Sequence, residues 1–173
     1  DGQNAGSTIV VNGAVTLSGT TDNVVGITVN DTQTLTLAGG TYKGTINAAN
    51  ASNGSVVISA NTTIDGVVGA VAKLVSFTVD AGKTLTQNEN LTAVTVTANG
   101  NITTGAGDVI TATNLNIGAG TVTAGGDITA AVAFTGAGTL DLGANELDGA
   151  VDFGAFDGTV TAANPTKITG AIT

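Results

Sequence analysis

Apolar residues in this chain return at a fixed distance. From Ile58 onward every nineteenth residue is apolar: Ile58, Phe77, Val96, Leu115, Phe134, Phe153 and Ile172. Two positions earlier a second column keeps the same step through Val56, Val75, Val94, Thr113, Val132 and Val151, and breaks at Gly170. The residues beside these columns are small or polar, among them Ser59, Thr78, Thr97, Asn116 and Thr135. Alternation of apolar with polar positions is the period of a strand, and a fixed return over 19 residues marks stacked coils.

The pattern predicts a first coil over residues 9 to 26, opened by Ile9 and Val11, continued by Val15 and Leu17 after Asn12-Gly13, and closed by Val24 and Val25. A second coil begins at Ile27 and Val29, runs through Leu35 and Leu37, and returns through Tyr42 to Ile46. Ala48 to Ser55 reads as an Ala/Asn/Ser/Gly loop projecting from the stack. Regular coils are then expected at 56–74, 75–93, 94–112, 113–131, 132–150 and 151–169, with a partial turn to Thr173.

Each coil is expected to hold three short strands. The second centres on Ile64, Leu85, Ile102, Val122, Leu140 and Val160, and the third on Leu91, Val109, Ile128, Leu147 and Ile168. Glycine-containing corners separate them at Asp80-Ala81-Gly82, Asn99-Gly100, Gly118-Ala119-Gly120 and Asp157-Gly158, where glycine is expected to supply positive φ. Pro165 falls at a corner late in the last coil, where a missing N–H matters least.

The predicted fold is all-β: a single-stranded parallel β-helix, or triangular β-solenoid, of about eight coils. It forms one domain over 1–173, with irregular coils over 9–55 and regular ones over 56–173. Coil spacing makes this a rod roughly 40 Å long. A rival reading takes Asn12-Gly13, Asn53-Gly54 and Asn99-Gly100 as hairpin turns of an antiparallel sandwich of pilin-like size. Hairpins require no 19-residue column, however, and here two run side by side.

Composition narrows the class. There are 26 Gly, 32 Thr and 16 Asn against one Pro and one Tyr, with no Trp, Met, Cys, His or Arg. Valine, isoleucine and threonine abound where helix formers are scarce, which favours strands. Charged residues make up 10%, yet 13 acids face 4 lysines and the net charge is −9. That balance argues against nucleic acid or an anionic membrane as a partner. No apolar run approaches the roughly 20 residues of a membrane helix, and no charged-then-apolar signal segment is present. The chain starts at Asp1 without an initiator Met, so a processed form or an excised piece is expected. Absence of Cys fits an exported protein held together by stacking rather than by disulfides.

Leu35 to Ile46 (LTLAGGTYKGTI) resembles the passenger coils of Gram-negative autotransporters. Thr121 to Thr129 (TVTAGGDIT) and Gly138 to Leu147 (GTLDLGANEL) are similar to the Gly/Thr/Asn-rich coils of rickettsial outer-membrane surface antigens. The resemblance covers most of the chain as a style of sequence, without a diagnostic motif. These residues contain none of the amphipathic girdle strands of that family's membrane barrel. The resemblance implies a surface-exposed, secreted β-helix used for adhesion, as a surface layer or as a stalk.

Little in the chain suggests catalysis. Without His or Cys, the usual nucleophilic triads and zinc sites cannot be built. Its Gly-x-Gly pairs are corners rather than strand-to-helix phosphate loops. Polysaccharide-cleaving solenoids carry a side groove of acids, aromatics and basic residues, and here Tyr42 and Lys43 stand nearly alone. The chain is therefore expected not to be an enzyme.

Two polar patterns are candidate sites. Asp108, Asp127 and Glu146 recur at steps of 19, with Asp148 and Asp152 nearby; such a column either splays into solvent or is bridged by Ca²⁺. Gly105-Ala106-Gly107-Asp108 departs from the nonapeptide calcium repeat by placing the acid one position early. Threonines also bracket inward apolar residues at Thr34/Thr36, Thr84/Thr86, Thr121/Thr123 and Thr159/Thr161. A flat Thr-x-Thr array is what ice-binding solenoids use, whereas an ordinary solvated strand also favours outward Thr. Asn101/Thr103 and Thr139/Asp141 interrupt the series and corner lengths vary, so a broken, uneven array is expected. Asn-x-Ser/Thr glycosylation triplets begin at Asn30, Asn50, Asn53, Asn61, Asn90 and Asn101.

Ile168 and Ile172 carry the repeat to the last residues, and Thr8 to Val11 is already apolar near the start. Open solenoid ends template further pairing, so either a longer chain has been cut or, as expected here, subunits self-associate end to end. The expected function is that of an extracellular, cell-surface structural protein: a rigid rod serving as a filament or surface-layer subunit, or as an autotransporter passenger stalk. The alternative is a binding module, an adhesin for a host or glycan ligand or an ice-binding solenoid, using a Thr-rich face.

Overall fold

The computed structural model describes residues 6–22, 24–163 and 166–173. Pro165 lies outside the described residues. Alternating Val, Ile, Leu and Thr build seventeen strands, and no helix, among the residues described. In chain order they are β1 (Ser7–Val11), β2 (Val15–Leu17), β3 (Val24–Val29), β4 (Thr34–Lys43), β5 (Thr45–Ala48) and β6 (Asn53–Asp65). Next come β7 (Leu74–Val79), β8 (Thr84–Gln87), β9 (Leu91–Ala98), β10 (Asn101–Thr104), β11 (Ile110–Ile117) and β12 (Thr121–Thr123). The last are β13 (Ile128–Phe134), β14 (Thr139–Asp141), β15 (Leu147–Asp148), β16 (Val151–Asp152) and β17 (Thr159–Thr161). The pairings of these strands are parallel, each with the strand one coil earlier or later, so the chain is a β-solenoid and not a hairpin sandwich.

Three ladders define three faces. On the first, inward residues stack as Ile9, Ile27, Ile46, Val68, Leu91, Ile110, Ile128, Leu147 and Ile168. On the second the stack is Val15, Leu35, Val56, Phe77, Val96, Leu115, Val132, Val151 and Ile172. On the third, Leu85, Ile102, Val122, Leu140 and Val160 stack in line. These columns converge on one core that runs the length of the rod, and each fully buried aliphatic side chain contributes about 1.5–3 kcal/mol.

The 19-residue column proves to be a composite. Ile58 stacks on Val79, while Phe77 stacks on Val56. Steps between hydrogen-bonded partners run from 17 (Leu115 to Val132) to 23 (Val68 to Leu91). A slip of two residues leaves a side chain pointing inward, which is why Ile58, Phe77, Val96, Leu115 and Phe134 are all buried although they do not share one stack. The companion column fares differently. Val56, Val132 and Val151 are buried, but Val75 is 40% exposed and Thr113 is exposed. There β7, β9 and β11 bend around a corner without interruption, and two successive residues (Val75-Ser76, Val94-Thr95, Thr113-Asn114) stay out of the core between inward neighbours. In β13 the corner is one residue shorter, so alternation runs unbroken from Ile128 to Phe134.

Other expectations shift for similar reasons. Ile110, not Val109, faces inward on the first face. Ile64 pairs with Gln87, one inward position beyond the Leu85 stack, which continues instead through Thr62. The loop expected over Ala48 to Ser55 shrinks to a corner over 49–52, because β6 resumes at Asn53. Among the corner glycines named from sequence only Gly82 has positive φ. Gly120 is small for a different reason: a Cβ there would stand 1.9 Å from the carbonyl oxygen of Gly100 in the coil below. Stacked corners bring backbones together too closely for a side chain.

Candidate functional site

The third face gathers most of the threonines singled out from sequence. Strands β8, β10, β12, β14 and β17 lie side by side in register. Their outward residues form two ranks. One runs Thr41, Thr63, Thr86, Thr103, Thr123, Asp141, Thr161, each paired with the next. In the other, Thr84 pairs with Asn101, and Thr121, Thr139 and Thr159 pair in succession. Asn101/Thr103 and Thr139/Asp141 stand in the same two ranks, where Asn101 and Asp141 take places that threonine would fill in a complete array. Ladder hydrogen bonds hold register, and variable corners absorb the length differences. Spacing along a rank is about 4.8 Å, and about 6.6 Å separates the ranks across a strand. Thr34 and Thr36 belong elsewhere: they flank Leu35, on the second face.

The same register takes Asp108 out of the acidic series and leaves Asp127 and Glu146 stacked. Ile110 pairs with Ile128, which pairs with Leu147, so Asp127 lies over Val109 and under Glu146, one position off Asp108. Asp127 is occupied: its Oδ1 accepts the Glu146 backbone N–H at 2.8 Å. No group of three or more acids suited to a metal ion occurs among the described residues.

That Asp127 contact is one of a recurring kind that sequence reading missed. Asn90 Oδ1 accepts from Val109 N at 2.8 Å, Asn101 Oδ1 from Thr121 N at 2.9 Å, and Asn61 Oδ1 from Thr84 N at 3.0 Å. Asn47 Oδ1 accepts from Val71 N at 3.0 Å. Four of these N–H groups sit at or just before the start of a strand, where the ladder has not yet begun. A side chain one coil below supplies the missing acceptor, which straps successive coils together. These Asn and Asp residues stand at irregular intervals along the chain, and they read equally as glycosylation triplets or as corner composition. Asn61, Asn90 and Asn101 all belong to such triplets.

Polar groups inside the rod are few. Gln87 is buried, and its Nε2 donates to the carbonyls of Gly66 and Glu89, both at 2.9 Å. Tyr42 is 1% exposed; its hydroxyl donates to the Leu17 carbonyl at 2.7 Å, with the Gly39 carbonyl at 3.0 Å. Burial pushes the Tyr42 phenol above its ordinary value of 10.0. Neighbouring Lys43 is at the surface, where its hydrogen bond and charge pairing with Asp22, at 2.9 Å, raise the ammonium pKa. Tyr42 is thus a core residue, whereas Lys43 lies at the surface.

A polar groove lies at the corner between the first and second faces, lined by Asn12, Asn30, Asp31, Gln33, Ala49 and Asn50. None of these was singled out for ligand binding from sequence.

Comparison with protein-family models, with curated proteins and with solved structures finds no match.

Proposed function

We propose that this chain is a rigid structural rod of an extracellular surface protein, whose contribution is length, stiffness and resistance to proteases. One observation carries the reading. The inward stack from Ile9 to Ile168 passes through nine hydrogen-bonded positions without a charged residue. Successive coils are held together by ladders on the three faces and, at several steps, by Asn or Asp straps, so bending the rod breaks backbone hydrogen bonds on one side. The resemblance of its coil sequences to autotransporter passengers is what supports a location outside the cell. Antibody labelling of intact source cells tests it: surface labelling is expected, and labelling only after permeabilisation overturns the placement. X-ray scattering should give an elongated particle roughly 40 Å long for eight coils.

The two in-register ranks of the third face favour a second reading, a binding module that contacts a regular surface such as ice. Methyl and hydroxyl groups repeated along these ranks, apart from Asn101 and Asp141, suit an ordered water lattice. Thermal hysteresis that is abolished by Thr103→Tyr, at the middle of one rank, is the expected result. A purified chain without thermal hysteresis removes this reading and leaves the rod.

A further inference from the structure

The groove at the corner between the first and second faces is open to solvent and offers about 420 Å³, within the roughly 300–1,000 Å³ of small-molecule sites. We propose that it binds a neutral saccharide. Asn30 Nδ2 donates to Asn12 Oδ1, and Asn50 Nδ2 donates to both carboxylate oxygens of Asp31, at 3.1 and 2.9 Å. These bonds orient four side chains across three coils. They leave the Asn12 amide N–H groups as donors, and Asn30 Oδ1, Asn50 Oδ1 and the remaining Asp31 lone pairs as acceptors.

A sugar hydroxyl both donates and accepts, so vicinal hydroxyls match this mixed set. Other ligand classes match it poorly. The N–H groups of Asn30 and Asn50 already point at the oxygens that a cation would need. An anion would meet the Asp31 carboxylate with no lysine among the lining residues. Ala49 is the sole apolar side chain there, too little for an apolar ligand.

The corner is also held in a costly shape. Thr32 (φ 62°) and Ser52 (φ 65°) are the non-glycine residues with positive φ among those described, and Thr32 lies between two residues that line the groove. Thr32 is β-branched and lies between Asp31 and Gln33, so its strain sets the direction in which those two side chains leave the backbone. Gln33 N bonds to Asn30 O at 3.0 Å, and Ala49 N to Val29 O at 2.8 Å, which fixes the turn to the coils behind it. The groove is preformed.

The test is an NMR titration of ¹⁵N-labelled protein with maltotriose, cellotriose, chitotriose and lactose, following side-chain amides. Saturating shifts at Asn12, Asn30, Gln33 and Asn50 with at least one sugar are expected. Asp31→Ala should weaken binding about tenfold, the loss of one charge-assisted hydrogen bond. Gln33→Ala, which removes no contact between coils, should weaken it as well, while Thr129→Ala on the first face leaves it unchanged. Absence of saturable shifts with all four sugars overturns the proposal. So do affinities unaltered by both groove variants, or saturation of the same amides by calcium chloride or sodium phosphate alone.

Discussion

Gly158, just before β17, stands against the ring of Phe134. A Cβ at Gly158 would lie 2.3 Å from Phe134 Cδ1 and 2.5 Å from Cγ, both near the fixed end of the side chain. The ring is stacked on Phe153, with centroids 4.8 Å apart and planes within 5°, so it has little freedom to turn away. Gly158 has no positive φ, which leaves space as the obstacle to alanine. Gly158→Ala should therefore cost about 2 kcal/mol by overpacking. Phe134→Leu should cost roughly 1–2 kcal/mol, from the lost aromatic pair and the smaller side chain. Combined, the two should cost less than their sum by about 1 kcal/mol or more, because the methyl enters space that the ring vacated. Urea unfolding followed by far-ultraviolet circular dichroism measures all four proteins, comparing the first transition since coils at one end can melt before the rest. Additivity within about 0.5 kcal/mol would refute the steric reasoning.

Three further outcomes follow from the same geometry. Tyr42 is the chain's single tyrosine, so tyrosinate absorbance reports it alone. Its folded pKa lies above the unfolded value of 10.0, so the stabilisation is complete below pH 10 and is lost as pH rises through the folded pKa. A titration midpoint at or below 10.0 in the folded protein would contradict the burial argument. Asp127→Ala should cost about 1 kcal/mol by orphaning the Glu146 N–H, whereas Asp127→Asn keeps the acceptor and should stay within about 0.5 kcal/mol of wild type; equal losses would show that the charge, not the strap, matters. Because Asp108, Asp127 and Glu146 do not share one stack, calcium chloride is expected to leave the melting temperature unchanged, and an upward shift abolished by chelation would restore the bridged column.

The candidate surfaces were legible to different degrees. Thr84/Thr86, Thr121/Thr123 and Thr159/Thr161 announced themselves because alternation around an apolar centre survives any corner length. Asn101/Thr103 and Thr139/Asp141 were legible as members of the same series for that reason, while the pairing of each rank from coil to coil was not, since corner lengths vary. The groove was overlooked although Asn12, Asp31 and Asn50 recur at steps of 19, because polar residues at those positions read equally well as ordinary corners of the stack. Straps such as Asn90 to Val109 were hidden because an amide reads the same whether it faces solvent or the next coil.

Sequence alone determined that the chain is all-β, that its strands alternate inward and outward, and that similar coils stack in parallel. Valine, isoleucine and threonine at alternate positions, returned about every 19 residues, permit little else. Tertiary structure decided which residue stacks on which. Strand alternation has a period of two, so a step of 19 and a step of 21 place Phe77 and Val79 equally well beneath the coil of Ile58. Only the ladder hydrogen bonds, together with the length each corner needs, choose Val79. From that choice follow the exposure of Val75, the departure of Asp108 from the acidic series, and the alignment of the threonine ranks.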